Sequence, residues 1–231
     1  MNSDSTNNRP VNGAYEAIQE LIMSSKIKPG EMITESGISD RLGISRTPVR
    51  EAIQKLEQEG LIFTENRRKY VYVLTVKEIE EIFDIKICLE STMCNWASKR
   101  GTKEQKDKLI SIIKEMEHLV EIRPNDEDDR KVWFRKWVAT DNSLHQLIFQ
   151  MADNNRATVY LNNLNRQWHR LRVGLMAMED RIENSIKEHQ DFVYPIIEGN
   201  GNVAKEKMEV HLQNLKNFLV QILKMFHYPS E

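Results

Sequence analysis

The chain is poor in the features that would tie it to a membrane or to an oxidising compartment. Two cysteines occur in 231 residues, Cys88 and Cys94. They do not form a metal-type pair and fall in a helical segment, so they read as reduced thiols of a cytoplasmic protein. No apolar run approaches the roughly 20 residues of a bilayer crossing, and no signal peptide is read at the start. No internal repeat is visible, and the only low-complexity stretch is the polar amino terminus, residues 1–10, which reads as a disordered tail. Neither charge is in surplus: 33 Lys and Arg face 35 Asp and Glu, a net charge of −2. A hydrophobic content of 40% supplies a real core, and the length suits two domains.

The most informative stretch runs from Gly43 to Phe63. Gly43 can close a preceding helix in the left-handed conformation. Ser45 is a good N-cap, and Pro48 falls in a first turn, where a missing amide hydrogen is harmless. Val49, Ile53 and Leu56 recur at helical spacing, so one face is buried. Arg46 and Arg50 lie four apart, on one side and near the helix start. That is the end a helix-turn-helix presents to the major groove. Arginine can hold guanine O6 and N7 with two bonds, or grip phosphate. Leu61 to Thr64 and Tyr70 to Leu74 alternate as two short strands, a wing joined by Glu65-Asn66-Arg67-Arg68-Lys69.

The run Pro29-Gly30-Glu31, then Thr34-Glu35, then Leu42 to Ala52 resembles the GntR family of bacterial transcription regulators. The resemblance implies a winged helix-turn-helix and a homodimer on a short pseudo-palindrome of double-stranded DNA. Carried over by position, Arg46, Thr47 and Arg50 match residues that contact DNA in the family. Two departures stand out. Ser36 replaces the arginine many members carry early in the second helix, and the wing tip has no glycine.

Bulk charge does not explain DNA binding, because residues 1–75 hold ten basic and ten acidic side chains. Affinity must come from clustering. Arg41, Arg46, Arg50 and the tip Arg67-Arg68-Lys69 form the available cluster, with Ser45 at the mouth of the helix. The acids Glu57, Glu59 and Glu65 are expected to face away.

The expected fold is mostly α. The winged domain covers residues 11–75, with helices over 11–24, from Thr34 to Leu42 and from Arg46 to about Gln58. Thr75-Val76-Lys77-Glu78 reads as a capping box that begins a second, all-helical domain over 76–226, leaving a tail at 227–231. Six periodic segments near 76–100, 103–122, 128–152, 155–178, 181–198 and 203–226 predict a bundle of about six helices. Pro195 should kink or shorten its helix.

Three of six histidines point to a site. Asp141 and His145 are four apart on a helix whose apolar stripe is Leu144, Ile148 and Ala152. His189 lies in the stripe Ile182, Ile186, Val193, Ile196, and His211 in the stripe Ala204, Met208, Leu215, Phe218, Ile222. A carboxylate and three imidazoles thus face one interior. A divalent metal would satisfy all four, and nitrogen and oxygen ligands suit zinc, nickel or manganese. Core histidines bonded to their neighbours are the other reading of the same pattern. Lys86 falls in the stripe Ile79, Ile82, Leu89, Met93, Trp96, so its ammonium is either turned inward or snorkels to the rim. Trp133, Trp137 and Trp168 are pocket or core residues.

Asp141-x-x-Leu144-His145, Asn155, Glu188-His189 and Met208-x-x-His211-Leu212 are similar to the effector domain of the FadR subfamily, called FCD, with the helix count leaning toward its VanR-like branch. The resemblance implies metal binding by Asp141, His145, His189 and His211, with positions left for a small carboxylate effector. Lys86 stands where the family often has arginine, and Arg170 and Arg172 match a basic pattern of the family, the helix period favouring Arg172 as near the core; Lys86 and Arg172 are thus the cations expected to meet that acid. A metal-dependent hydrolase fused to a DNA-binding module is the rival class, since a metal with open positions can activate water. No general base stands at helical spacing beside the ligands, so the reading is a non-enzymatic regulator without catalytic residues.

Overall fold

A computed structural model describes residues 9–23, 26–73, 75–168 and 181–225. Two compact units divide the chain, one holding the residues up to Thr75 and the other beginning at Val76. Residues 1–8 and 226–231, on which the expected tails fall, lie outside the described residues.

The first unit contains α1 (Arg9–Met23), β1 (Met32–Ile33), α2 (Glu35–Leu42), α3 (Arg46–Gln58), β2 (Ile62–Glu65) and β3 (Arg68–Val71). Its core joins Ala14, Ile18 and Ile22 of α1 to Val49, Ala52, Ile53 and Leu56 of α3, all buried. These are the apolar positions at helical spacing, and burying each large aliphatic contributes about 1.5–3 kcal/mol. Thr34 caps α2 by accepting the Gly37 N–H at 3.0 Å. Gly43 ends α2 at φ 66°, a left-handed angle that costs glycine nothing. The tight turn into α3 depends on it.

The sheet is antiparallel with order β1-β3-β2, so β3 is central. The sequence reading gave two strands, and β1 is the addition. Two residues are too few to show a period, and Met32 and Ile33 are strand only because Tyr70 and Lys69 lie opposite them. The wing also departs from the expected five-residue join. Glu65 pairs directly with Arg68, leaving Asn66 and Arg67 as a two-residue turn. Both have positive φ, 47° and 64°, the requirement of the hairpin turn that matches strand twist. Asparagine tolerates this conformation. Arginine there costs about 1–2 kcal/mol, which the pairing on either side offsets.

The second unit contains α4 (Val76–Arg100), α5 (Lys103–Glu121), α6 (Glu127–Met151), α7 (Asn155–Trp168), α8 (Ile182–Glu198) and α9 (Gly201–Met225). Thr102 and Gln105 form a reciprocal capping box at the start of α5. Asp126 caps α6 through the N–H groups of Asp128 and Asp129. Pro195 sits inside α8 near its end, and Gly199 closes that helix at φ 83°. α4 and α9 approach closely at one point, where a Cβ on Gly201 would meet Ser98 Oγ at 2.5 Å. The expected extension of α7 to residue 178 lies outside the described residues.

On α4 the expected stripe holds at Ile79, Ile82, Lys86 and Met93 but not at two positions. The buried face of α4 is Val76, Ile79, Ile82, Phe83, Lys86, Glu90, Met93, Cys94 and Ala97. Leu89 and Trp96, assigned to that stripe from sequence, are half-buried, and Glu90 takes the inward place. No helix among the described residues is long and apolar enough to cross a membrane.

Candidate functional site

In the first unit the buried residues of α3 leave Arg46, Thr47 and Arg50 exposed on one side of the helix start. Ser45 occupies the N-cap position, but its side chain makes no cap hydrogen bond and is exposed. Cap chemistry therefore does not use it, contrary to the expectation. Arg41 is exposed too, with one guanidinium nitrogen donating to the Lys26 carbonyl at 3.0 Å. Arg67 and Arg68 project from the wing into solvent.

Lys69 is different. It is partly buried, donating to Glu57 and, at 3.3 Å, to Thr64. Thr64 Oγ donates to the other Glu57 oxygen at 2.5 Å. The tip cluster is thus two free arginines, and the third cation ties the wing to the far end of α3. Glu57, expected to face away, is the acceptor that does this. Hydrogen bonds from Lys69 and then Thr64 hold its carboxyl below the ordinary range. Glu59 is likewise engaged, accepting from the Tyr15 hydroxyl at 2.6 Å.

In the second unit, α6, α8 and α9 bring His145, His189 and His211 together, with one ligand atom of each within 4.8 Å of the others. His189 and His211 are buried, at 0% and 3% exposure. Asp141 Oδ1 lies 2.9 Å from His189 Nε2, although Asp141 itself stands at the rim, about a third exposed. Phe192 packs against all three rings, which gives the cluster an apolar floor.

Two of the imidazoles have one nitrogen held from outside by a hydrogen bond. His189 Nδ1–H donates to the Ser185 carbonyl at 2.5 Å. His211 Nδ1–H donates to Glu188 at 2.7 Å. His145 Nδ1 lies 3.2 Å from Glu90. Outer partners of this kind fix ring orientation and tautomer in metal sites. Among the described residues, His145 Nδ1 and His189 Nε2 are buried without a hydrogen bond; Glu90 and Asp141 are near them but out of line with the ring N–H. A hydrogen-bonded core network would satisfy such atoms, because leaving them unmade costs about 1–3 kcal/mol each. A cation among the rings would also satisfy them.

The electrostatics of the cluster differ from ring to ring. Burial, helped by repulsion from the other two rings, pulls the His211 imidazolium down to about 4 despite the pull of Glu188. His211 is thus a neutral ring, the form that ligates. Burial would lower His145, but the neighbouring Glu90 and the Asp141 charge more than offset this, so its net shift is upward. Burial would raise Asp141, and the neighbouring His189 overcomes this, so its carboxyl is ionised.

Two acids that the sequence reading gave no role complete the site. Glu188 accepts from His211, from Arg181 at 2.5 Å and from Asn214 at 2.8 Å. Glu90, 1% exposed, pairs with the buried ammonium of Lys86, which also donates to Asn165 of α7. Burial alone would raise Glu90, yet Lys86 and His145 bring it to about 2. Glu90 follows Lys86 by four on one helix face, a spacing that allows their pairing but does not by itself place Glu90 inside. Arg172 lies outside the described residues, as does the side chain of Trp168. Trp133 and Trp137 are buried core residues, and the Trp133 indole donates to the Leu119 carbonyl at 2.7 Å. An open cavity of about 510 Å³ lies outside Glu188, lined by Arg181, Asn184, Lys187, Asn214 and Phe218.

Comparison with known proteins identifies the two domains. The model of the bacterial regulatory proteins of the gntR family matches residues 10–71, and the FCD domain model matches residues 81–214. The uncharacterized HTH-type transcriptional regulator YdhC of Bacillus subtilis is 25% identical over 91% of each chain. The HTH-type transcriptional repressor RspR of Escherichia coli is 26% identical over 93% of this chain and 91% of its own. Among solved structures, E. coli McbR/YncC shares the fold with a TM-score of 0.60 at 16% identity, covering 96% of this chain and 100% of the other.

Proposed function

Because the chain belongs to the gntR family of bacterial regulatory proteins and carries an FCD domain, and so is a DNA-binding transcription regulator, we propose that its helical unit senses a small carboxylate at a metal centre. The observation that carries this reading is the convergence of three imidazoles, two of them buried and held from outside by hydrogen bonds, with two ring nitrogens left without hydrogen bonds among the described residues.

His145, His189, His211 and Asp141 would hold a divalent ion, for which zinc, nickel and manganese are the fitting choices. When bound, the ion supplies positive charge and free positions that an acid can complete. The remaining work belongs to the chain. Ser185, Glu188 and Glu90 set the ring orientations. The Phe192 floor keeps water from one side. Lys86, paired with Glu90, is one basic candidate for the acid, and Arg172 is the second.

Arg46, Thr47 and Arg50 read base edges, while Arg41, Ser45, Arg67 and Arg68 meet the backbone of double-stranded DNA. Lys69 serves by holding the wing. The regulator acts in the cytoplasm as a homodimer on a short pseudo-palindrome. The acid shifts operator affinity by its differential affinity for the two arrangements of the dimer. The relatives above are named as regulators, which favours this reading over a hydrolase.

Metal analysis of untagged protein, after exposure to zinc, nickel or manganese and dialysis, tests it. About one ion per chain is expected. A content below about a tenth of that would leave the histidines as a core network.

A further inference from the structure

Lys86 and Glu90 decide how many negative charges an effector brings, an inference that rests on the carboxylate-sensing reading above. Both side chains are on the inward face of α4, and both are almost wholly buried, at 3% and 1% exposure. The Lys86 ammonium is bound by one Glu90 oxygen and by Asn165 Oδ1. The other Glu90 oxygen faces His145 Nδ1 at 3.2 Å. An ammonium that could meet an anion beside the histidines is therefore already met by a carboxylate of the protein itself.

The charges that the described residues bring to the cluster can be paired off. Lys86 cancels Glu90, and Arg181 cancels Glu188. Asp141 remains, close to His189. Against a divalent ion, Asp141 leaves one positive charge uncompensated. One carboxylate on the ligand neutralises it. Among the described residues Lys86 is already paired, so a second carboxylate would be desolvated without that ammonium to meet it, which is unfavourable in a buried site.

We propose that this site accepts a monocarboxylate, and that Glu90 is the residue that turns dicarboxylates away by occupying Lys86. Glu90 does not touch the acid. It is a specificity-determining residue acting through Lys86, and it shares its second oxygen with the setting of His145.

The test uses full-length zinc-loaded chain and calorimetric titration with matched acids: lactate against malate, and gluconate against glucarate. In each pair the second acid carries one more carboxylate. The wild type should prefer the monocarboxylate of at least one pair by roughly tenfold or more. Glu90→Gln keeps the side-chain size and releases Lys86, so that preference should shrink or invert. Zinc content is measured for every variant, because Glu90 sits beside a ligand. The double variant Lys86→Met with Glu90→Gln removes both charges and leaves no buried unpaired ion. It should return to the wild-type preference, and it tests the charge argument even if Glu90→Gln alone does not fold. Preference for the dicarboxylates in the wild type, an unchanged preference in a folded, zinc-bearing Glu90→Gln, or a lost preference in the double variant would each overturn the proposal while leaving carboxylate sensing intact. If no acid of either kind binds the zinc-loaded wild type, the sensing reading itself fails and this inference falls with it.

Discussion

Removing Glu188 should weaken metal binding without removing a ligand. Its carboxylate accepts the His211 Nδ1–H at 2.7 Å and is itself held by Arg181 and Asn214. In metal sites such an outer carboxylate fixes the tautomer and raises ring basicity, and its loss costs about 10–100-fold in affinity. Two features of the site decide where in that range Glu188→Ala should fall. His211 is buried, so its freed N–H cannot turn to bulk solvent. The Glu188 side chain, however, is 16% exposed and borders the open cavity. Water can enter the vacated space and accept the imidazole proton, which favours the tenfold end. The assay is competition for zinc against a chromogenic chelator, using untagged full-length protein whose helicity is checked by circular dichroism. His211→Ala, which deletes a ligand, provides the scale and should lose far more. An unchanged zinc affinity in folded Glu188→Ala would refute the argument that Glu188 prepares His211.

Other outcomes follow from the same geometry. Lys86→Met strands the Glu90 carboxylate in the core and should cost about 3–5 kcal/mol. The double variant with Glu90→Gln should recover most of that in urea unfolding followed by tryptophan fluorescence, since no tryptophan precedes Trp96. A single variant as stable as wild type would contradict the pairing. Arg46→Ala or Arg50→Ala should lose about 1–3 kcal/mol of operator binding for each base contact removed, whereas Arg67→Ala should weaken binding to all sequences alike and reduce the salt slope by about one. Operator binding unchanged in both α3 variants would remove that helix from the interface. The Glu57–Lys69 tie should show in acid. The folded carboxyl sits below its ordinary value of 4.5, so its stabilising share is complete above that pH and is lost as pH falls through the folded value. The stability difference between wild type and Glu57→Gln, measured across acid pH, should vanish at the low end. A difference that does not change with pH would assign the effect to packing.

Helices were legible because their positions repeat. Leu144, Ile148 and Ala152 are all buried, as their spacing on α6 predicts. The caps at Thr34 and Thr102 were equally readable, since one side chain and one nearby amide suffice. The same local logic failed at Ser45, whose exposed hydroxyl makes no cap bond. It also failed on α4, where Leu89 and Trp96 fit an apolar stripe better than Glu90 does on hydrophobicity alone. Placing Glu90 inside requires knowing that Lys86 and His145 wait there to meet it. Strand β1 was invisible because two residues carry no period, and Lys69 could not be told from its arginine neighbours without Glu57 opposite.

The chain's order of residues alone determined the helix spans, the exposed arginines at the start of α3 and the inward bearing of the three histidines. Each of these is a consequence of 3.6-residue periodicity acting over a few turns. Packing decided what the charges do. Whether an acid or an ammonium is free or committed depends on a partner up to 132 positions away, as with Lys216 and Asp84. Local spacing carries no record of such a partner, because the pair exists only once separate helices have been brought side by side.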